Sequence, residues 1–564
     1  MWRQIYRHLA AVLLCLAACS GTASPDTPSG PQPGTDGDRL NGSRIQPWNT
    51  LYGLIADADG KGVRDVPVTD GYNYVKTDRN GVYQMKADPR STHVWYSLPS
   101  GYAVAQDPST HLPSFWQTLE PGTVNRRDFT LQALRGASDD FSFAVLGDIH
   151  IRDKATADRF RAGALAGIRD YFLANGSRRP MFGLSLGDII NNARDPETYA
   201  YAAEALGSVT CPDGHILPFF TTIGNHDHNA RRGDVSLEGY EEFDDGAVLS
   251  YKETFGPTCY SFNIGKVHFI VLDNYIALAP PSKETSALAG SGKAGLSEYV
   301  YDWLLKDLSF VQDKEERMVV LCQHCHMRNI TAMPHYSDLV DWLSAFHSAY
   351  LFTGHAHICE SYKYRAYPAA GGRPVMERIH GVPMGNFWYS RYNPDGASAG
   401  YYIYHVSGNE FSEWEYRCVG DNTERMRVYD AADVYDRETD WSHQFVWTAQ
   451  SPFQDGNYLL AHIYHGDEDW EVWLECDGKR LPMTFADTRI SDYCVNCHLA
   501  NDGISGIRTS WKYHWDRSEN WWYVRLDSPV SELGEWKVVA KARFPGSSVT
   551  RTYSCSTLTR SLKE

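Results

Sequence analysis

Five short polar signals, each following a run of apolar residues, constrain this 564-residue chain more than any other feature of it. In order they are Asp148-Ile149-His150, Gly187-Asp188, Gly224-Asn225-His226-Asp227, Gln323-His324 and Gly354-His355-Ala356-His357. Short apolar runs bounded by Gly and polar residues read as buried strands, so the signals fall at strand ends. The runs are Phe141 to Leu146, Met181 to Leu186, Phe219 to Ile223, Met318 to Cys322 and Tyr350 to Thr353. Between them lie helical patterns. Phe160, Ala164, Ile168 and Phe172 share one face, Ser297 can cap a helix bearing Val300, Trp303, Leu304 and Leu308, and Leu339 and Leu343 mark a third. A hairpin is expected at Tyr260–Phe262 and Val267–Asp273, turned at Ile264-Gly265-Lys266. Strands alternating with helices, with polar residues at the strand ends, predict an α/β layered fold.

The residue types at those ends suit metal ions. In Asp148-Ile149-His150, positions i and i+2 project to one side, so a carboxylate and an imidazole can reach one ion. Asp188 follows a Gly, where the backbone can bend sharply, and its two oxygens can bridge two ions roughly 3.5–4 Å apart. Asn225 offers a neutral oxygen. Mixed oxygen and imidazole donors admit Mn, Fe, Zn, Ni or Co.

The set resembles the calcineurin-like metallophosphoesterase superfamily, whose motif order is D-x-H, G-D, G-N-H-D/E, H and G-H-x-H, over roughly residues 139–400. The flanks resemble a bacterial lipoprotein subgroup with β domains at both ends. The resemblance implies an α/β four-layer β-sandwich flanked by helices, with an N-terminal transthyretin-like sandwich and a C-terminal β-rich domain. It implies two divalent or trivalent metal ions, one held by Asp148, His150, Asp188 and His357, the other by Asp188, Asn225, His324 and His355. It implies hydrolysis of a phosphate ester by a metal-bridging hydroxide, with His226 protonating the leaving group or stabilising its charge. Monoester and diester both remain open. The competing reading is a catalytically inactive glycan- or lipid-binding surface lipoprotein on the same scaffold; the intact ligand set argues for the enzyme.

Some positions depart from the family pattern. The family has Pro two residues after the Gln-His signal, where this chain has His326, which is either a supporting donor or the ligand in place of His324. Protein phosphatases follow Gly-Asp with an acidic residue and Arg; here Ile189, Ile190, Asn191 and Asn192 follow, which disfavours protein substrates. Asn191, His228 and Arg328 are near ligands in sequence and are either phosphate contacts or solvated loop residues. Asp227 could orient its loop or His226, and His268 is expected to satisfy a core hydrogen bond.

Length and composition organise the rest. The chain is too long for one core, and 43% hydrophobic residues exclude a disordered chain. A net charge of -17 gives no field that would attract nucleic acid or anionic membrane, so no nucleic-acid scaffold is expected. Arg3 and Arg7 precede an apolar run that ends in Leu16-Ala17-Ala18-Cys19, which resembles a bacterial lipobox. Residues 1–18 are therefore expected to be a signal peptide, with lipid on Cys19 anchoring the protein in the bacterial cell envelope. The other expected divisions are a linker (19–48), a β-sandwich (49–135), the catalytic domain (139–400) and a β-rich domain (401–564), whose own sandwich begins near residue 420. Tyr458–Tyr464 and Trp470–Cys476 are expected to form a hairpin, and of the neighbours Trp521 and Trp522 one is expected at the surface. Trp511, Tyr513 and Trp515 alternate as on a strand, and the aromatic cluster is either sandwich core or a sugar platform. Cys494-Val495-Asn496-Cys497-His498 matches a haem-attachment pattern, but no helical cytochrome pattern surrounds it; plain loop cysteines or a local clip are preferred. Pairing of the ten cysteines beyond Cys19 is not readable from sequence.

Overall fold

The computed structural model describes residues 39–134, 138–176, 180–193, 196–228, 240–279, 291–327, 335–364, 373–385, 391–421, 423–431, 453, 457–486, 490–491 and 517–559. The expectations for Cys19 and its signal, for Arg328, for Cys494 to His498 and for Trp511 to Trp515 lie outside them.

Two sheets form the middle of the molecule. In the first, Phe219–Thr222, Met181–Leu186 and Asp140–Leu146 run parallel, and Gly400–Ser407 and Glu410–Cys418 complete the sheet antiparallel. In the second, Val267–Val271, Met318–Cys322, Ser348–Thr353 and Val375–Ile379 run parallel, with Tyr260–Ile264 and Glu360–Tyr364 antiparallel at the edges. The parallel strands read as unbroken apolar runs because both faces are covered: every residue of Met181–Leu186 and Met318–Cys322 is buried. The sheets meet through Phe rings. Phe269 packs edge-on against Phe143 and Phe182, with centroids 5.5 and 5.4 Å apart. On the outer face of the first sheet, Phe160, Ile168, Phe172, Tyr199 and Leu206 cover Ala144, Leu146 and Phe219. On the second, Glu298–Phe310 supplies Trp303, Leu304 and Leu308. Helix, sheet, sheet and helix make the four layers.

Local chemistry sets the helix ends. Asp153 caps Lys154–Phe160 in a reciprocal capping box with Thr156. Ser297 accepts from the Val300 nitrogen and starts Glu298–Phe310, as its sequence indicates. One π-helical turn, Arg161–Leu165, joins Lys154–Phe160 to Ala166–Asn175. The expected hairpin is present, turned at Gly265, where φ is +55°.

The N-terminal part is two small sheets. One is built around Leu51–Asp57, the other pairs Pro67–Thr69 with Tyr74–Lys76 and His93–Tyr96. It is seated on the catalytic layers through a continuous apolar cluster and polar contacts that include Ser97 to Ser261 at 2.8 Å and Asn263 Nδ2 to the Leu98 carbonyl at 3.1 Å; Ser261 in turn donates to Asp307 at 2.6 Å. The C-terminal part has a sheet ordered Met426–Asp430, Asn457–Ile463, Trp521–Leu526, Thr484–Phe485. A second runs Lys479–Pro482, Glu471–Cys476, Trp536–Arg543, Thr550–Cys555.

Two expectations fail here. Asn457–Ile463 and Glu471–Cys476 are not a hairpin; they belong to opposite sheets, each pairing elsewhere. The polar segment between them carries the chain across the sandwich, with His465 at φ +54°, so both strands turn apolar faces to one shared core. Neither Trp521 nor Trp522 is at the surface: they are 0% and 1% exposed. Neighbours on a strand point to opposite faces, and here both faces are covered. Trp522 joins the main core, while Trp521 stacks on His462 and packs near Tyr429 in a separate cluster. Gly400–Ser407 and Glu410–Cys418 lie in the first of the two central sheets. No described helix is long and apolar enough to cross a membrane. Among the described cysteines, Cys259, Cys322, Cys325, Cys359, Cys418, Cys476 and Cys555 are free thiols.

Candidate metal centre

All five signals lie just beyond the carboxyl ends of parallel strands, where two sheets bring them face to face. Asp148 is two residues past Leu146, Asp188 two past Leu186, Asn225 three past Thr222, His324 two past Cys322 and His355 two past Thr353. Backbone bonds fix the ends to one another. Ile149 and His150 both donate to the Asp188 carbonyl, at 3.0 and 2.8 Å, and Gly354 donates to the His324 carbonyl at 3.0 Å.

The turns are forced into rare conformations. His150, Asp188, His355 and His357 have φ of +56°, +46°, +64° and +59°. Each costs of order 1–3 kcal/mol and persists only where surrounding structure imposes it, a pattern that clusters at functional sites. The glycines are as constrained. A methyl on Gly187 would meet His324 Nδ1 at 2.5 Å, one on Gly354 would meet Asp148 Oδ2 at 2.5 Å, and one on Gly224 would overlap the Asp188 backbone nitrogen.

The ligand atoms of Asp148, His150, Asp188 and His357 all lie within 4.8 Å of one another, and all four residues are buried. His150 Nε2 faces His357 Nε2 at 3.0 Å, His357 Nε2 is 3.3 Å from Asp148 Oδ1, and His150 Nε2 is 3.7 Å from Asp188 Oδ2. Beside this group, His324 Nε2 lies 2.9 Å from Asn225 Oδ1, 3.1 Å from His355 Nδ1 and 3.4 Å from Asp188 Oδ1. Asp188 thus faces both groups, one oxygen to each. His324 is completely buried at this point. His326 instead packs beside His355, with ring centroids 6.1 Å apart. Cys325 Sγ is also within 4.8 Å of the ligand atoms of His324 and His355, but burial and the nearby Asp188 push its thiol well above its usual range.

Electrostatics demand positive charge here. Burial alone would raise Asp148, yet His357 and His324 bring it down to about 2. Burial likewise works against an ionised Asp188, and His324, His226 and His150 override it and hold it well below the carboxylate range. Burial opposes a charged His324, but Asp188 and Asp148 draw it up to about 10. Two buried carboxylates therefore share a pocket whose other donors are imidazoles and the Asn225 amide oxygen. Facing nitrogens about 3 Å apart match the spacing of neighbouring ligands on one ion bound at about 2.1 Å.

Hydrogen bonds outside the group set the tautomers. His324 Nδ1 donates to the Leu186 carbonyl at 2.9 Å, which leaves the Nε2 lone pair for the cluster in the neutral ring. His226 Nδ1 donates to the Asn191 carbonyl at 2.8 Å, so Nε2 is the atom it presents, 4.0 Å from Asp188 Oδ2. Its backbone nitrogen also donates to Asp188 Oδ1 at 2.8 Å.

Two supporting residues escaped sequence reasoning in whole or part. Of the two roles open to Asp227, the structure shows the loop. The residue is fully buried and accepts from the backbone nitrogens of Gly224, Ile189 and Ile190, at 2.8, 3.2 and 3.0 Å, pinning the Asn225 loop to the Asp188 loop. Burial and Asp188 raise its carboxyl to about 7. Asn274 Oδ1 accepts from the nitrogens of His324 and Cys325 at 3.1 and 2.9 Å. A polar residue just past the Val267–Val271 strand was the available signal. Of the other candidates, His228 turns away to Asp273, at 3.3 Å, and Asn191 serves through its backbone carbonyl. His268 meets Asp307 at 2.8 Å and Asn263 at 2.9 Å, a core role.

Comparison with known proteins agrees with this geometry. Residues 141–359 match the model of the calcineurin-like phosphoesterase, residues 49–134 the model of the N terminal of calcineurin-like phosphoesterase, and residues 377–532 that of its C terminal. No curated protein matches the chain. Among solved structures, a purple acid phosphatase from yellow lupin (Lupinus luteus) seeds is similar at 12% identity. The match covers 64% of this chain and 68% of that one, with a TM-score of 0.33, too low to carry an argument.

Proposed function

For a chain that belongs to the calcineurin-like phosphoesterases and carries their N- and C-terminal domains, we propose a hydrolase of phosphate esters that works with two metal ions. The observation that carries this reading is the single buried carboxylate, Asp188, with one oxygen toward each of two imidazole-bearing groups. Asp148, His150, Asp188 and His357 would hold one ion, and Asp188, Asn225, His324 and His355 the other. When bound, the pair supplies water activation near neutral pH and neutralises charge on the phosphoryl oxygens.

The chain's own residues do the rest. His324 is oriented by Leu186 and the Asn225 loop is pinned by Asp227, so the donors need little rearrangement. His226 is a positioned proton donor: its Nδ1 is committed to Asn191, and a proton on Nε2 can pass to the departing alkoxide oxygen. Asp148, His150, Asp188, His324 and His357 are buried, while Asn225 and His226 are half-buried and His355 is exposed, so the second group faces the side from which an ester can enter.

The test is turnover of chromogenic phosphate monoesters and diesters by protein loaded with Mn²⁺, Zn²⁺ or Fe. Wild type is expected to act and Asp188→Asn to lose about 10³-fold or more. Stoichiometric metal with no turnover of either ester would overturn the enzymatic reading and favour a binding protein on this scaffold. The relative rates decide between monoester and diester.

We also propose that the protein is exported and lipid-anchored through Cys19, on the strength of Leu16-Ala17-Ala18-Cys19. Cys19→Ala should move the protein from the membrane to the soluble fraction; unchanged membrane association would refute the anchor.

A further inference from the structure

Between the N-terminal sheets and the catalytic layers lies a cleft of about 360 Å³, with a smaller recess of about 80 Å³ beside it. The two share Tyr72, Arg90, Asp245, Lys252, Thr258 and Tyr299 as walls. No residue of the metal-ligand groups lines either one.

The recess is lined by Ser91, His93 and Trp95, alternate residues leading into and along the strand His93–Tyr96. Alternation puts them on one face. They are 7%, 7% and 4% exposed, yet Ser91 Oγ, His93 Nε2 and Trp95 Nε1 have no hydrogen-bond partner. Trp303, 1% exposed and lining the larger cleft, has an unpartnered Nε1 as well. Burying a polar group without a partner forfeits its hydration, so several beside one cavity call for a ligand or ordered water.

The chemistry of the walls selects among ligands. Tyr72 and Tyr299 present tilted rings, centroids 4.9 Å apart, with the Arg90 guanidinium 4.0 Å from the Tyr72 centroid. Aromatic faces beside buried hydrogen-bonding atoms suit a ring or chain bearing hydroxyls. The larger cleft carries six carboxylates against three cations, a balance that repels a free oxyanion. The neighbouring acids are already engaged: Asp70 accepts from the nitrogens of Tyr72, Asn73 and Asp88, and Asp88 holds Arg90. His93 meets Thr92 Oγ1 through Nδ1 at 2.8 Å, so either tautomer leaves Nε2 for a ligand. A hydroxyl, which both donates and accepts, satisfies both tautomers and also Ser91; Trp95 can only donate.

We propose that this interdomain cleft binds a neutral polyhydroxylated molecule, a sugar or polyol group, with Ser91, His93 and Trp95 bonding its hydroxyls. The site is separate from the metal centre and does not depend on phosphoester hydrolysis.

The experiment titrates full-length Asp188→Asn protein calorimetrically with a panel of neutral hexoses, N-acetylhexosamines, inositol and glycerol, with phosphate, acetate and choline as charged probes. At least one neutral member is expected to bind saturably at millimolar concentration or below, with a shift in tryptophan fluorescence from Trp95. Ser91→Ala and His93→Gln should each weaken it about fivefold or more, while Ser91→Ala leaves chromogenic ester turnover of the otherwise wild-type enzyme unchanged. Circular dichroism establishes that each variant folds; Lys252→Met, on a wall shared by the recess and the cleft, should also weaken binding and gives a third check should His93→Gln be unstable. Saturable binding of only a charged probe, no binding by any neutral member, or binding unaffected by all three variants would overturn the proposal, leaving the recess to ordered water.

Discussion

At Gly187 the chain has no room for one methyl group, because the His324 ring occupies that space. Gly187→Ala is expected to displace His324 and cost about 10²-fold in kcat/KM, with a matching drop in bound metal by elemental analysis. Retained stoichiometry and rate would show that the loop can yield. A second residue-scale consequence concerns His380, fully buried between the Thr353 carbonyl at 3.2 Å and the Tyr404 hydroxyl at 2.9 Å. Burial, aided by Arg378, lowers it to about 3. As pH falls below about 6.5 the unfolded chain takes up a proton that the folded chain refuses, so stability is lost progressively toward pH 3, at up to about 1.4 kcal/mol per pH unit. Urea melts at pH 7 and pH 5 should show a smaller loss for His380→Gln than for wild type; equal losses would sink the assignment. The cluster of Asp148, His150, Asp188 and His357 was legible in the sequence because carboxylates and imidazoles just past buried strands converge when those strands lie side by side. Asp227 was legible only as one of two roles, because it accepts from backbone nitrogens of its own loop and of Ile189 and Ile190, and any sequence can supply those.

Among the elements, the central parallel strands were readable because burial on both faces leaves continuous apolar runs. Ser297 was readable because a cap needs a hydroxyl; Ser297→Ala should lower stability by about 1 kcal/mol in chemical denaturation. The C-terminal strands misled for a physical reason. Two neighbouring apolar strands look the same whether they pair or face each other across a sandwich, and only long-range partners decide. The same holds for Trp521 and Trp522, whose alternation predicts one wet face until a second cluster covers it. Trp522→Ala should cost about 3–5 kcal/mol; a loss below 1 kcal/mol would mean that the cluster relaxes around the gap.

Across the whole molecule one apolar cluster runs from Leu51 and Trp95 through Phe143 and Trp303 to Trp414, Trp522 and Val538. The N-terminal sheets, the catalytic layers and the C-terminal sandwich thus share a core in place of thin interfaces. The polar bridge of Ser97, Ser261, Asp307 and His268 seals the first junction. Removal of residues 39–134 should therefore leave an aggregating remainder, and the intact protein should melt in one transition by calorimetry. A soluble, metal-binding truncated protein would contradict this.

The segment that crosses between the C-terminal sheets has a further effect through His465. Its Nε2 lies 3.1 Å from the Tyr404 hydroxyl, which reaches His380, which in turn holds the Thr353 carbonyl one residue before Gly354. The appended sandwich is thereby a buttress under the loop that carries His355 and His357. Grafting a relative's C-terminal sandwich onto this catalytic unit should succeed only when the histidine that touches that tyrosine travels with it, so lineages of such proteins are expected to inherit the two parts together.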